Sequence, residues 1–356
     1  TSNPESYLMI GSVAAAKVEL SLLDISPTLN LETAEYKLYV GIEVNGTMEY
    51  IPLGVFYANP DEVKRKKNVA TVMLYDGMIK AQKEYNSQLV YPVSIQVVMH
   101  EIATILGVSF VGTLPNYVIP KKPEGYSCRG MIGIIAQLCG GFAKFDRNGN
   151  LTIRYYTNAN YSIDGDTYID YEKQRDTLYR IHKVVGRVPK DDTEGEDIVY
   201  TAGTGSVEMS FENPFVTQQI VNNIYNRYAN FAYIPTFVNM QGNPLIDVGD
   251  IVQLTTIDNE IINIPIMNHK LTFSGGLLSE IESVGETESV GGFNISGSIG
   301  ERLDALEENL WKSVNVIISS SAGNVFKNGE GSTTLTAKTF LNGIEVDLNG
   351  SRYEYR

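Results

Sequence analysis

The chain has 356 residues, 28 Lys+Arg against 42 Asp+Glu, and a net charge of −14 at pH 7. That balance weighs against a chain whose main task is to coat nucleic acid or dock on anionic lipid, since both need clustered cations. With 43% hydrophobic residues, 32 Gly, 13 Pro and 22 Tyr, it reads as an ordered, turn-rich, β-rich chain of two to three domains.

The first segment alternates polar and apolar residues at the strand period over Lys17–Leu22 and Glu35–Val44. Asn45-Gly46, a strong hairpin-turn dipeptide, then leads into Met48–Leu53, and Val69–Asp76 is one more strand. These predict a twisted antiparallel sheet or small barrel, a first β domain over 1–80. The run Lys64-Arg65-Lys66-Lys67 is the one basic cluster and reads as a solvated hairpin tip.

Ser94 is placed to cap a helix over Ile95–Leu106, with Gly107 ending it. Ser127 is placed to cap a second over Cys128–Gly140, with Ile132, Ile135, Ala136 and Cys139 on one face. Phe142–Phe145 and Leu151–Tyr155 flank a turn at Asp146–Gly149. Together these predict an α+β insert over 81–199 that ends in a polar, acidic loop at 189–206. A helix over Pro214–Asn230 and strands near Ile251–Leu254, Ile261–Ile266 and His269–Ser274 predict a second β domain over 200–288.

Residues 289–311 read as a linker and a short coiled-coil-like helix. Ile295, Ile299, Leu303, Leu306 and Leu310 fall at spacings of 4, 4, 3 and 4, a seam that suits a parallel oligomer or an amphipathic helix packed on its own chain. Two heptads hold together only if neighbouring domains already gather the chains. Past Trp311, residues 312–356 read as the start of an Ig-like β segment, too short for a full sandwich. The fold class is therefore α+β, β-rich and multidomain, with two barrel-like β domains flanking the insert.

Chemistry is sparse. His100-Glu101 begins like a zincin helix, but position 104 is Thr rather than the second His, so the zinc ligand set fails. Asp146–Gly149 and Ile163–Asp166 read as turns rather than calcium loops, because the EF-hand spacing is absent. Gly203-Thr204-Gly205 is too short for a phosphate cradle. Two cysteines, Cys128 and Cys139, predict buried free thiols. No apolar run reaches about 18 residues, so no membrane-spanning helix is expected. No catalytic, cofactor-binding or metal residue is assigned.

Several pieces resemble, in order, the tail-hub proteins of bacteriophages and phage-like particles. This family contains contractile-tail baseplate hubs and the N-terminal hub part of tail-associated lysins. The pieces are Leu8-Met9-Ile10-Gly11, Glu49–Phe56, Leu74–Met78, Tyr91–Ile95, Ile102–Val108, and Ile135-Ala136-Gln137 with Gly140 and Ala143. Asp146–Gly149 before Leu151, and Asn243-Pro244 through Gly249-Asp250, complete the set over about 280 residues. Ser319–Gly329 and Thr333–Ala337 resemble a segment of minor tail proteins of Gram-positive phages.

The resemblance implies a structural, non-enzymatic subunit at the virion tail tip, assembled in the host bacterial cytoplasm. It implies a homotrimer whose two similar β domains form a pseudo-six-fold ring. Its implied partners are a distal tail protein or tail tube above and a fibre, spike or lysin module below. Genomic DNA would pass an acidic pore without specific binding, and no cofactor or membrane insertion is implied. The family usually has residues ahead of Leu8–Gly11, so the first β domain is expected to lack a strand. Any lysin module is expected in a missing C-terminal part. Two other classes fit some features: a receptor- or glycan-binding tail protein, given the tyrosines, and a peptidoglycan hydrolase whose module is absent.

Overall fold

A computed structural model describes residues 8–23, 26, 29–189 and 197–285, and the strand residues 314–320, 335–341 and 344–346. The chain divides into two compact units, Thr1–Ser296 and Gly297–Arg356. The architecture is β-rich α+β.

In the first unit, β1 (Lys17–Leu23), β2 (Glu35–Val44), β3 (Thr47–Lys66) and β4 (Val69–Tyr75) form one antiparallel sheet in the order β1-β4-β3-β2. Of the two forms the alternation allowed, this is the sheet, with β1 and β2 as edges. Its inner face buries Phe56, Ala58, Ala70, Val72 and Leu74 under Leu31. Asn45 and Gly46 both have positive φ, as a two-residue hairpin turn requires. Strand β3 is longer than its sequence pattern suggests. Residues 59–62 bulge out between Ala58 and Val63, and Pro60, which has no N–H to donate, sits in that bulge.

A 3-10 helix (Gly77–Gln82) follows, capped by Asp76, whose carboxylate also accepts the Ala16 N–H at 2.8 Å. Strands β5 (Val93–Ser94) and β6 (Val118–Ile119) pair beside α1 (Ile95–Leu106). The predicted caps are in place: the Ser94 hydroxyl accepts the Val97 N–H, and Gly107 takes the left-handed conformation at φ 68°.

Helix α2 (Cys128–Leu138) starts at its Ser127 cap and stops short of the expected Gly140. The sequence pointed to one buried face, yet every residue from Met131 to Leu138 is buried. The reason is its central place, packed by α1, the 3-10 helix and β7 (Phe142–Phe145). The segment Leu8–Ser12 also lies in this core. It reaches across to the β7 end, where the Gly11 N–H donates to the Gly141 carbonyl at 2.8 Å. At φ 78°, with the Gln137 side chain where a Cβ would stand, position 11 accepts only glycine without strain.

Strand β8 (Leu151–Arg154) pairs with β7 as the predicted hairpin. Two strands then leave the insert in space. β9 (Thr157–Ile163) and β10 (Tyr168–Lys173) pair with strands that lie some 60 to 95 residues later in the sequence.

The two-residue β11 (Tyr179–Arg180) precedes β12 (Lys183–Val188). β13 (Ile198–Gly203) falls where the sequence suggested loop; Ile198, Val199 and Tyr200 pair with β12. β14 (Glu208–Glu212) pairs with β12 in parallel. Helix α3 (Gln218–Tyr228) is shorter than its expected span because Pro214–Val216 forms a turn, and Thr217 provides the cap. It packs on β12 and β13.

The second β region adds β15 (Ala232–Tyr233), paired with β11, and then β16 (Thr236–Gln241), β17 (Asp250–Thr255), β18 (Ile261–Pro265), β19 (Asn268–Phe273) and β20 (Leu277–Glu282). The sheets β10-β16-β20-β19 and β18-β17-β9 enclose one core of Ile163, Val238, Met240, Leu254, Ile264 and Ile281, among others. The four-stranded sheets of the two β regions differ in strand order, and among the described residues only this second one has a companion sheet on the same core. In the second unit, β21 (Val314–Ser320), β22 (Leu335–Leu341) and β23 (Ile344–Val346) form an antiparallel three-stranded sheet, the two residues 342–343 joining the last pair.

Candidate functional site

The residues singled out for chemistry are held in structural roles. The Glu101 carboxylate accepts from the Tyr85 hydroxyl at 2.5 Å, the Ser87 hydroxyl at 2.8 Å and the Gln88 N–H at 2.7 Å. It clamps the 85–88 segment to α1, and burial first, then the carboxylate, drives the Tyr85 phenol pKa far up. His100 is exposed and lies edge-on to Phe110. The Asp146 carboxylate accepts from the Asn148 N–H, the Asn150 N–H and the Asn150 amide, which makes an Asx-type turn. Asp164 accepts from Thr167 in another turn. Gly203–Gly205 joins β13 to β14, so no helix N-terminus follows it. Among the described residues, no group of three or more His, Cys, Asp or Glu is placed to hold a metal.

Both cysteines are free and buried, as expected. Burial pushes the Cys128 thiol up to about 11 and the Cys139 thiol up to about 12. Neither is a nucleophile near neutral pH. No helix among the described residues is long and apolar enough to cross a membrane.

Sequence reading missed one charged cluster. Lys144 from β7 and Arg154 from β8 meet Asp247 of the turn before β17 and Asp250, the first residue of β17. Lys144 Nζ lies 2.5 Å from Asp247 Oδ2, and Arg154 Nη2 lies 2.8 Å from Asp250 Oδ1. Asp250 also accepts the Asp247 N–H at 2.8 Å, and Arg147 donates to the Leu245 and Ile246 carbonyls. Burial pushes the Asp247 carboxyl pKa up, but Lys144 and Arg154 outweigh it and hold the group below its ordinary value. The sequence holds Gly249-Asp250 as a turn signal only, because the partners are about 100 residues away. The cluster pins the turn to the hairpin, at a point where Val248 packs against both large cores.

The other functional candidate is a surface. All ten residues from 41 to 50, the outer half of the β2–β3 hairpin, are exposed. β4 pairs with β3 only from Tyr57 to Lys66, so among the described residues this ribbon has no third strand. Ile42 and Val44 stand on one face. On the other, Met48 and Tyr50 lie over Gly41 beside Tyr39. Tyr39, Met48 and Tyr50 are 54%, 49% and 67% exposed. The helical seam Ile295, Ile299, Leu303, Leu306 and Leu310 lies outside the described residues.

No protein-family model matches the chain, and no curated protein matches it. Solved structures do. The 43 kDa tail protein of prophage MuSo2 from Shewanella oneidensis is 12% identical, with 76% of this chain and 89% of that one covered and a TM-score of 0.47. The tail protein from Neisseria meningitidis MC58 is 11% identical, with 75% and 90% covered and a TM-score of 0.46. A chain of the PdpA–VgrG complex is 11% identical, with 95% and 67% covered and a TM-score of 0.40. These solved structures are two tail proteins and a chain of a VgrG complex.

Proposed function

We propose that this chain is a structural tail-hub subunit of a phage or phage-like particle. It forms a trimeric ring that joins the six-fold tail tube to the three-fold tail tip and anchors a distal fibre, spike or lysin module. The observation that carries this reading is the ordered run of tail-hub motifs, from Leu8–Gly11 to Gly249-Asp250, spread across two β regions that bracket a helical core. Each β region supplies a hub-type domain, and the first, an open sheet among the described residues, is completed into a barrel-like domain by neighbouring copies. The seam from Ile295 to Leu310 gathers the chains below the ring. The acidic excess keeps DNA from adhering to the pore, since like charges repel. The residues weighed for chemistry are tied into turns, clamps and cores, which fits a subunit that works by assembly.

Light scattering after size exclusion, over a range of concentrations, tests the reading. The expected mass is three times 39.4 kDa, with a central pore visible by electron microscopy. Leu303→Asp with Leu306→Asp is expected to weaken the trimer. A wild-type chain that stays monomeric at every concentration, or a pore lined by basic residues, overturns the proposal.

A further inference from the structure

The first sheet carries a second feature that its own chain does not use. At the end opposite the exposed ribbon, Leu23 pairs in register with Val69, and both are exposed, at 74% and 38%, as is Leu29 nearby in sequence at 51%. This apolar end is rimmed by exposed Lys64 and Lys66 at the end of β3 and Lys67 of the turn that follows. Arg65 is occupied: its guanidinium donates to the Ser26 and Leu29 carbonyls and folds that segment onto the sheet. The ribbon has the matching character. It is apolar on both faces, with Glu43 beside Met48 and Glu49 opposite Ile42. Among the described residues, none of Glu43, Glu49, Lys64, Lys66 and Lys67 takes part in an ion pair.

The two patches do not meet within one chain. They lie at opposite ends of the single strand β3. From Tyr57, where β4 joins, residues 47–56 carry the tip about 30 Å outward at roughly 3.3 Å per residue, while the basic turn lies on the other side. A two-stranded ribbon standing alone in water is marginal, and exposed apolar area on both its faces calls for a cover.

We infer that the β2–β3 ribbon of one copy docks on the Leu23–Val69 end of the next copy. Met48 and Tyr50, on one face of the ribbon, cover Leu23 and Val69, while Glu43 of that same face meets Lys64 and Lys66, which share the sheet face of Leu23 and Val69. A contact between two different patches is head-to-tail, and such contacts close into a ring when the rotation allows. This rests on the trimeric reading and supplies the ring contact it needs. It also accounts for the one basic run in a chain of net charge −14, which an anionic polymer is the other way to use.

The test uses the full chain, with assembly followed by sedimentation equilibrium at low and high salt. Glu43→Lys reverses the docking face of the ribbon; Lys64→Glu with Lys66→Glu reverses the basic end. Each set alone is expected to raise the dissociation constant about tenfold or more, because like charges are brought together. The two sets combined in one chain are expected to restore it to within about threefold. Met48→Ser with Tyr50→Ser is expected to weaken assembly at all salt concentrations. All these positions are exposed, so melting curves should match wild type. If wild type assembles and the reversed chains assemble equally well, or the combined set gives no rescue, the inference falls while the trimer stands. If the basic-end set instead abolishes binding to duplex DNA with assembly unchanged, the basic end serves nucleic acid and the inference also falls. If wild type never assembles, the trimeric reading fails and takes this contact with it.

Discussion

Replacing His269 with Gln is expected to remove a loss of stability that wild type suffers between pH 6.5 and 4. His269 lies on β19, its Nε2 3.1 Å from the Ser279 hydroxyl. That oxygen already accepts the Asn243 N–H, so its single proton is free to go to an unprotonated Nε2. Burial lowers the ring's pKa from 6.5 to about 4; Arg147 and Lys144 add to this, and Asp247 and Asp250 oppose it. The native state therefore holds the ring neutral while the unfolded chain takes up a proton. The contribution is complete above pH 6.5 and is lost as pH falls towards 4. Linkage puts the loss at about 2 kcal/mol at pH 5 and about 3 kcal/mol below pH 4. Asp247, held below its ordinary carboxyl range, adds its own loss only at still lower pH. The sequence has three histidines, so proton NMR titration, with the variant identifying the missing resonance, reads this one directly. Urea midpoints at pH 7 and 5 give the stability difference. A His269 resonance titrating near 6.5, or equal acid sensitivity in wild type and variant, would refute the reasoning.

Other perturbations probe the packing. Gly141→Ala places a Cβ 2.6 Å from the Arg154 carbonyl and 2.9 Å from the Tyr155 ring; a loss of about 2 kcal/mol or more is expected in denaturant unfolding. Asn213→Ala leaves the Ile134 carbonyl, the Gln137 Oε1 and the Phe215 N–H without their buried partner; a cost of about 2–4 kcal/mol is expected by the same measurement. Neither Cys128 nor Cys139 should react with a thiol reagent at pH 8 in the native protein. Both should react once it is denatured, and rapid native labelling would contradict their burial.

Local chemistry was legible without a fold. Alternation located β1, β2 and β4, Asn45-Gly46 located the hairpin turn, and Ser94, Ser127 and Gly107 marked helix ends. These signals act within a few residues, through caps, turns and strand periods, so the sequence carries them intact. Cysteine burial was readable for the same reason, because Cys139 fell on an apolar helical face. The tertiary structure alone decided contacts between distant segments. It buried α2 on every side, gave β9 and β10 to the second β region, and turned Ile198–Gly203 into a strand by pairing it with β12. It assembled Lys144, Arg154, Asp247 and Asp250 from two stretches about 100 residues apart. Among the described residues it also left the β2–β3 ribbon without a third strand, which no pattern within Glu35–Leu53 reveals. Whether an alternating apolar strand is a core element or an exposed arm depends on which other strands arrive beside it, and loop closure and packing across the whole chain decide that.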